Sequence, residues 1–320
     1  MTDRFGRQID YMRISITDRC NLHCSYCRPE IEEHLVHSDL LGYEEIFRVC
    51  SIAVKLGINR FKITGGEPFV RAGAVDFIKG LAGLGDVKSV TVTTNGTLLN
   101  DAVIKELKRA GLDGINISLD TMDRGRFLRI TGADLLDRVI RNIDLCCDAG
   151  LNVKINTVLL PDLREEDVLL LSGLAKERNI SVRFIEKMPM GNMSENGPSG
   201  RYIKDILTGH GAELGHPETG RLGNGPAVYY RPEGYKGYIG FIEAIHGKFC
   251  SLCNRIRMTS TGFVKPCLYY SDGLDIRGMI RSGADDELIA KGLGDAVYMK
   301  PECHKFEDRP SSGKMNIIGG

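Results

Sequence analysis

The chain has 320 residues, 42 acidic and 42 basic side chains, no tryptophan, 38 glycines and ten cysteines. At this length a core can be buried without disulfide staples, and ten cysteines, about 3% of the chain, fall well below the roughly 8–10% of a secreted disulfide scaffold. Zero formal net charge argues against a broadly basic nucleic-acid-binding face. No apolar run approaches the roughly 18 residues of a membrane helix, so neither nucleic acid nor membrane is an expected partner.

The opening MTDRFGRQIDYMRIS is charged from residue 3 and lacks the apolar core of a signal peptide, so a cytoplasmic chain with reduced thiols is expected. Clustered cysteines then read as metal ligands or catalytic groups rather than disulfides. From about residue 10, short β-branched runs alternate with longer helical patterns. Strands are expected over 11–16, 60–64, 89–94, 114–119, 153–160 and 181–186. Helical patterns fall at 43–57, 74–84, 101–111, 135–150 and 164–179, with apolar residues three and four apart, and several stop at Gly after Lys or Arg.

Six successive βα units predict a parallel sheet with helical crossovers. Six strands are too few to close an eight-stranded barrel, so the expected fold is α/β, an open partial (βα)6 TIM-type barrel spanning residues 1–190. Beyond 190 the rhythm breaks in the loop-like MGNMSENGPSG, followed by short strands and turns and by helical patterns near 274–298. This second part, 191–320, has no obvious core of its own and is expected to close the open side of the barrel.

In parallel βα folds, functional side chains sit at the C-terminal strand ends. That rule gathers Cys20, Cys24 and Cys27 after the first strand, Thr64 to Pro68 after the second, Thr93 to Gly96 after the third, Ser118 to Asp120 after the fourth, Asn156 on the fifth, and Glu186 to Met188 after the sixth. Three cysteines spaced C-x3-C-x2-C can hold one small metal centre. A cubane iron–sulfur cluster usually takes four cysteines, so three leave one iron open for chemistry; zinc completed by His23 or another cysteine is the alternative. A second set pairs Cys250 and Cys253 with Cys267, and here the alternative is a zinc ribbon completed by Cys303 or His304. Cys50, Cys146 and Cys147 lie in amphipathic helical patterns where a small apolar side chain suffices, and Cys303 has no assigned role.

No P-loop motif is present. Basic residues nevertheless fall near the same mouth: Arg13, Lys62, Arg71, Lys154, Arg183, Arg255 and Arg257. Charge-assisted hydrogen bonds contribute about 1.5–3 kcal/mol each. Three or four could hold a polyanion at micromolar affinity, about −8 kcal/mol, before ordering costs.

Cys20-x3-Cys24-x2-Cys27, with Tyr26 before the last cysteine, resembles the radical S-adenosylmethionine signature, and Gly65-Gly66-Glu67-Pro68 resembles that superfamily's second motif. With Cys250, Cys253, Cys267, the run Asn254-Arg255-Ile256-Arg257 and the terminal Gly319-Gly320, the whole chain resembles the GTP 3′,8-cyclase family of molybdenum cofactor biosynthesis. The resemblance implies two [4Fe-4S] clusters, one on each cysteine set, each with one iron lacking a protein ligand. The first open iron would chelate S-adenosyl-L-methionine and the second would meet the guanine of GTP.

It further implies that Tyr26, Gly66, Ser118 and Met188 line the S-adenosylmethionine site, with Glu67 and Asn95 as neighbours. Arg13, Lys62, Thr93, Lys154, Arg255, Ile256 and Arg257 would bind GTP, with Arg183 nearby and the Gly319-Gly320 tail entering the active site. Where the family often has arginine, this sequence has Lys62, which keeps the charge but loses the planar fork. The implied reaction is reductive cleavage of S-adenosylmethionine to methionine and a 5′-deoxyadenosyl radical, which takes hydrogen from C3′ of GTP. Attack of the ribose on C8 and reduction then give (8S)-3′,8-cyclo-7,8-dihydroguanosine 5′-triphosphate. An external electron donor, a homodimer and a downstream cyclic pyranopterin monophosphate synthase are implied as partners. The competing readings are another radical enzyme with an auxiliary cluster, such as a peptide-modifying maturase, and a non-catalytic zinc-binding protein.

Overall fold

Strict alternation along the strands decides the architecture. In the computed structural model, which describes residues 1–27, 35–190, 196–220, 222–308, 311 and 318, six strands run parallel and in chain order. They are β1 (Tyr11–Ser15), β2 (Arg60–Thr64), β3 (Ser89–Thr94), β4 (Gly114–Ser118), β5 (Val153–Leu159) and β6 (Ser181–Glu186). These match the expected strands to within a residue at each end.

A parallel sheet covered on both faces reads as a continuous apolar run. Here only alternate residues are apolar: Met12, Ile14, Phe61, Ile63, Val90, Val92, Ile115, Ile117, Ile155, Val182 and Phe184 are buried in the main core. Burial of each such side chain contributes about 1.5–3 kcal/mol. The intervening positions are Arg13, Lys62, Thr91, Thr93, Asn116, Lys154, Asn156 and Arg183, and these line a cavity. The sheet therefore has an apolar convex face and a polar concave one.

Helices α1 (Tyr43–Lys55), α2 (Ala74–Ala82) and α3 (Asp101–Arg109) follow β1 to β3. After β4 come α4 (Arg124–Thr131) and α5 (Leu136–Asp148), then α6 (Glu165–Glu177) after β5 and α7 (Gly200–Gly209) after β6. The patterns expected for α1, α2, α3, α5 and α6 are all helical. Neither α4 nor α7 was expected. Each is short and begins on a side-chain cap, Asp123 accepting from the Arg126 amide and Ser199 from the Tyr202 amide, which satisfies one of the free amides of the first turn.

Residues beyond 190 join the same sheet on both edges. Antiparallel β7 (Val228–Tyr230) flanks β8 (Tyr238–Ile242), which lies parallel to β6. On the other side β9 (Arg255–Met258) lies parallel to β1, followed by antiparallel β10 (Phe263–Lys265) and β11 (Leu274–Asp275). The order is β11-β10-β9-β1-β2-β3-β4-β5-β6-β8-β7. Eight strands are thus parallel, but antiparallel ribbons occupy both edges and the barrel stays open. Helices α8 (Ile276–Arg281) and α9 (Asp286–Tyr298) cover the β9–β11 end, with α9 packed on α1.

The joint between the two parts is apolar. Phe184 on β6 stacks on Phe241 of β8 with ring centroids 6.1 Å apart, and both are buried. Truncation of such a ring costs about 3–5 kcal/mol. Phe241→Ala should therefore shift urea unfolding of the whole chain as one transition. Separate early melting of the part after residue 190, followed by circular dichroism and by hydrogen exchange, would show instead that it folds independently.

Candidate active site

The loop after β1 carries the first three cysteines, and the backbone after β2 holds it in place. Ile16 donates to the Thr64 carbonyl (2.9 Å), Gly66 to Thr17 (2.7 Å) and Glu67 to Arg19 (2.8 Å). A Cβ on Gly66 would lie 2.4 Å from the Arg19 carbonyl oxygen, so only glycine permits this approach. The buried Glu67 carboxylate accepts from the Thr94 hydroxyl (2.8 Å) and from the amides of Asn95 (2.7 Å) and Phe69 (3.1 Å). Burial pushes it up to about 7 against those hydrogen bonds. Cys20 Sγ receives the Leu22 amide at 3.4 Å and Asn95 Nδ2 at 3.8 Å.

Tyr26 donates to Asp120 at 2.7 Å, and Asp120 also accepts the Val158 amide at 2.8 Å. Burial raises Asp120 to about 6. It also raises the Cys24 thiol, with Asp120 and then the other two cysteines adding to the effect. The three thiols therefore share one confined space.

The second set comes from two segments. Cys250 lies within a short 3-10 turn, Phe249–Leu252, that Cys253 ends ahead of β9, and Cys267 follows β10. Two buried cations tie these segments to the chain ends. Arg7, paired with Asp3 at 2.6 Å, donates to the carbonyls of Cys250 (2.9 Å), Glu302 (2.8 Å) and Pro301 (2.7 Å). Lys300 donates to the carbonyls of Arg255 (2.9 Å) and Pro266 (2.5 Å). Burial alone would raise the Cys253 thiol, but Arg255 and Lys300 outweigh it and bring the group down to about 7.

Both cysteine sets open on a single cavity of about 390 Å³ that runs the length of the barrel. The sheet register explains its charge. Arg257, Arg13, Lys62 and Thr91 stand at one level on β9, β1, β2 and β3. Lys154 and Arg183 project from β5 and β6, and Gly240 opposite Arg183 leaves its side chain room. Arg183 donates to Asn116 and Asn156, each at 2.5 Å.

Eight Lys and Arg residues line the cavity against two carboxylates, Asp113 and Glu186. Both acids are engaged: Asp113 accepts the Val90 amide, and Glu186 accepts the Ile245 and His246 amides and faces His246 Nδ1 at 2.7 Å. Burial, reinforced by neighbouring cations, pushes Lys62 well below its usual range, Lys154 to about 8, Arg13 to about 10 and Arg257 to about 9. Among the described residues, the buried Nε atoms of Arg183 and Arg255 find no hydrogen-bond acceptor. Such a lumen is built for a polyanion.

The floor was not foreseen. Leu222, Gly223, Asn224, Gly225 and Pro226 line the cavity at the N-terminal strand ends, beside Ser89, Asp113 and Asn152. Lys154 donates to the Leu222 carbonyl, and Asn224 bridges Arg60 (2.9 Å) and Ser89 (3.1 Å). Lys300 and Phe306 also line the cavity and were missed, and His304, read from sequence only as an alternative zinc ligand, lines it too. The lysine gave no spacing signal, because what brings it in is the packing of the segment after α9.

Of the residues singled out from sequence, Cys20, Cys24, Cys27, Cys250, Cys253, Cys267, Tyr26, Gly66, Ser118, Met188, Arg13, Lys62, Thr93, Lys154, Arg183, Arg255 and Arg257 all line this cavity. Ile256 does not. Its side chain is fully buried in the apolar core on the convex face, as alternation on β9 demands, so only its backbone is on offer. Arg71 is also elsewhere, donating to the carbonyls of Ile16 and Leu41. Gly319 and Gly320 lie outside the described residues. Ile318, directly before them, is buried in a small core with Met190, Leu268, Tyr269 and Phe306, against which Met188 and Cys267 pack. Cys50 and Cys146 are buried in the main core, Cys147 packs on its edge, and Cys303 is exposed.

Three thiols, as each set offers, are soft donors of the kind that suit an iron–sulfur cluster. Among the described residues no three His, Cys, Asp or Glu side chains converge on a single-ion site. Both sets stand at the wall of a cavity large enough for further ligands.

Comparison with known proteins agrees with this geometry. Residues 14–172 match the family model of the radical SAM superfamily, and residues 180–306 match that of Molybdenum Cofactor Synthesis C. A GTP 3′,8-cyclase of Clostridium perfringens (strain 13 / Type A) is 43% identical over 309 residues, covering 96% of this chain and 95% of that protein. One from Thermodesulfovibrio yellowstonii is 39% identical over 326 residues, covering both chains entirely. Among solved structures, Streptococcus suis SuiB bound to S-adenosylmethionine superposes with a TM-score of 0.62 at 16% identity, over 92% of this chain and 64% of that one. At that identity the likeness speaks for the fold alone, and this chain spans less than two thirds of SuiB. The relatives alike over their full length decide the family: the chain belongs to the GTP 3′,8-cyclases of the radical SAM superfamily.

Proposed function

We propose that the cavity cyclises GTP to (8S)-3′,8-cyclo-7,8-dihydroguanosine 5′-triphosphate, the opening step of molybdenum cofactor biosynthesis. The observation that carries this reading is the meeting of two three-thiol sets on one lumen lined by eight cations. Cys20, Cys24 and Cys27 would hold one [4Fe-4S] cluster, and Cys250, Cys253 and Cys267 a second. With one electron from an external donor, the first cluster and bound S-adenosylmethionine would supply a 5′-deoxyadenosyl radical, with methionine as the other product, for removal of hydrogen from C3′ of GTP.

The chain's own contribution is placement and exclusion of water. Tyr26, Gly66, Ser118 and Met188 would receive S-adenosylmethionine beside the first set. Arg13, Lys62, Lys154, Arg183, Arg255 and Arg257 would clamp the triphosphate, and Thr93 would contact the nucleoside. The guanine would then face the second set, with the Gly319-Gly320 tail completing the site. The reading includes a cytoplasmic homodimer, an external one-electron donor and a downstream cyclic pyranopterin monophosphate synthase.

Anaerobic turnover with GTP, S-adenosylmethionine and a reductant tests it: 5′-deoxyadenosine should form in a GTP-dependent way, and its absence with both clusters intact would sink the assignment. Cys267→Ser should retain S-adenosylmethionine binding while cyclisation is lost. Loss of that binding in a folded variant would contradict the division of labour between the two sets.

Lys154 adds a pH dependence. Its value near 8 lies below the ordinary 10.5, so between these the free enzyme has lost a proton that the unfolded chain keeps. Stability without ligand should therefore rise with pH across that window. A triphosphate favours the ammonium, so GTP binding should take up a proton and weaken as pH rises through about 8. Calorimetry at pH 8.5 in buffers of different ionisation enthalpy measures that uptake. Equal heats in both buffers would contradict it.

A further inference from the structure

A buried cation, Lys300, joins the two segments that carry the second cysteine set.

Lys300 is buried, 2% exposed, and an ammonium has three protons to place. It donates to the carbonyls of Arg255 and Pro266 and acts on the Cys253 thiol. Among the described residues no carboxylate pairs with it. A buried cation without an anion is costly, and a thiolate-ligated cluster is the anion that this site can offer. The same ammonium joins the segment of Cys253 to that of Cys267, since Pro266 immediately precedes Cys267.

We propose that Lys300 is the counter-cation and positioning residue of the second cysteine set and raises the reduction potential of the cluster held there. The inference rests on the two-cluster reading above. One-electron reduction adds one negative charge to a cluster. A fixed ammonium beside the cluster stabilises the reduced form more than the oxidised one.

The test is a potentiometric titration of the anaerobically reconstituted holoenzyme followed by electron paramagnetic resonance. The second cluster is identified by its response to GTP, and the first by its response to S-adenosylmethionine. Lys300→Met should keep about eight irons per chain, lower the midpoint of the second cluster and leave the first unmoved. Lys300→Arg should restore the midpoint. Lys248→Met, which removes a half-exposed lysine paired with Glu307, should change neither.

An unmoved second midpoint in Lys300→Met, or equal shifts in both clusters, would overturn the proposal. If Lys300→Met retains only four irons, Lys300→Gln, which keeps an N–H donor without the charge, is judged by the same comparison of midpoints. Wild-type protein with four irons per chain would instead overturn the two-cluster reading, and this inference with it.

Discussion

Everything in this molecule depends on the period-two alternation of a curved parallel sheet. Apolar residues on one face of each strand join the helices in a continuous core, and polar and cationic residues on the other face meet across the lumen. Because the strand period is two, a slip of one residue in any strand would drive its charged groups into the core and its apolar groups into the cavity. Register and binding site are therefore the same fact. The core that fixes Met12 and Ile14 also fixes Arg13, and that which fixes Phe61 and Ile63 also fixes Lys62.

The arrangement stores electrostatic tension. Cations from five strands face one another with two occupied carboxylates among them, and the apolar shell bears the strain. A ligand that brings negative charge relieves repulsion already present, so occupancy and stability are linked. The protein does not need to move to create affinity. The lumen is poised for its polyanion by repulsion between groups held on separate strands.

Much of this was readable from the residues, for identifiable reasons. The six barrel strands and their main helices follow from β-branched runs alternating with three-and-four apolar spacing, a local signal. The cysteine sets announced themselves by spacing, and the rule of C-terminal strand ends brought most of the site together. What escaped has non-local causes. Strands β8 and β9 are short segments of a turn-rich region, and only their pairing with β6 and β1 makes them part of the parallel sheet. The floor at Leu222 to Pro226 lies at the opposite strand ends from those the rule points to. Ile256 was placed in the site by its neighbours in sequence, whereas alternation sends its side chain to the other face. Lys300 belongs to no motif, and only packing brings it to Cys253.

Arg7 and the segment from Lys300 to Glu302 meet over the backbone of Cys250, which joins nearly opposite ends of the chain. This has a consequence for biosynthesis. The loop with the first three cysteines finds its backbone partners at Thr64 to Glu67 and then at Ile130 and Thr131, with Asn95 and Asp120 between them, all in the first half of the chain. The second set has no such early opportunity, because its clamp needs residues 7 and 302 at once. Assembly of the two three-thiol sets is thus staggered by the order of translation, with the second set among the last parts of the fold to be completed.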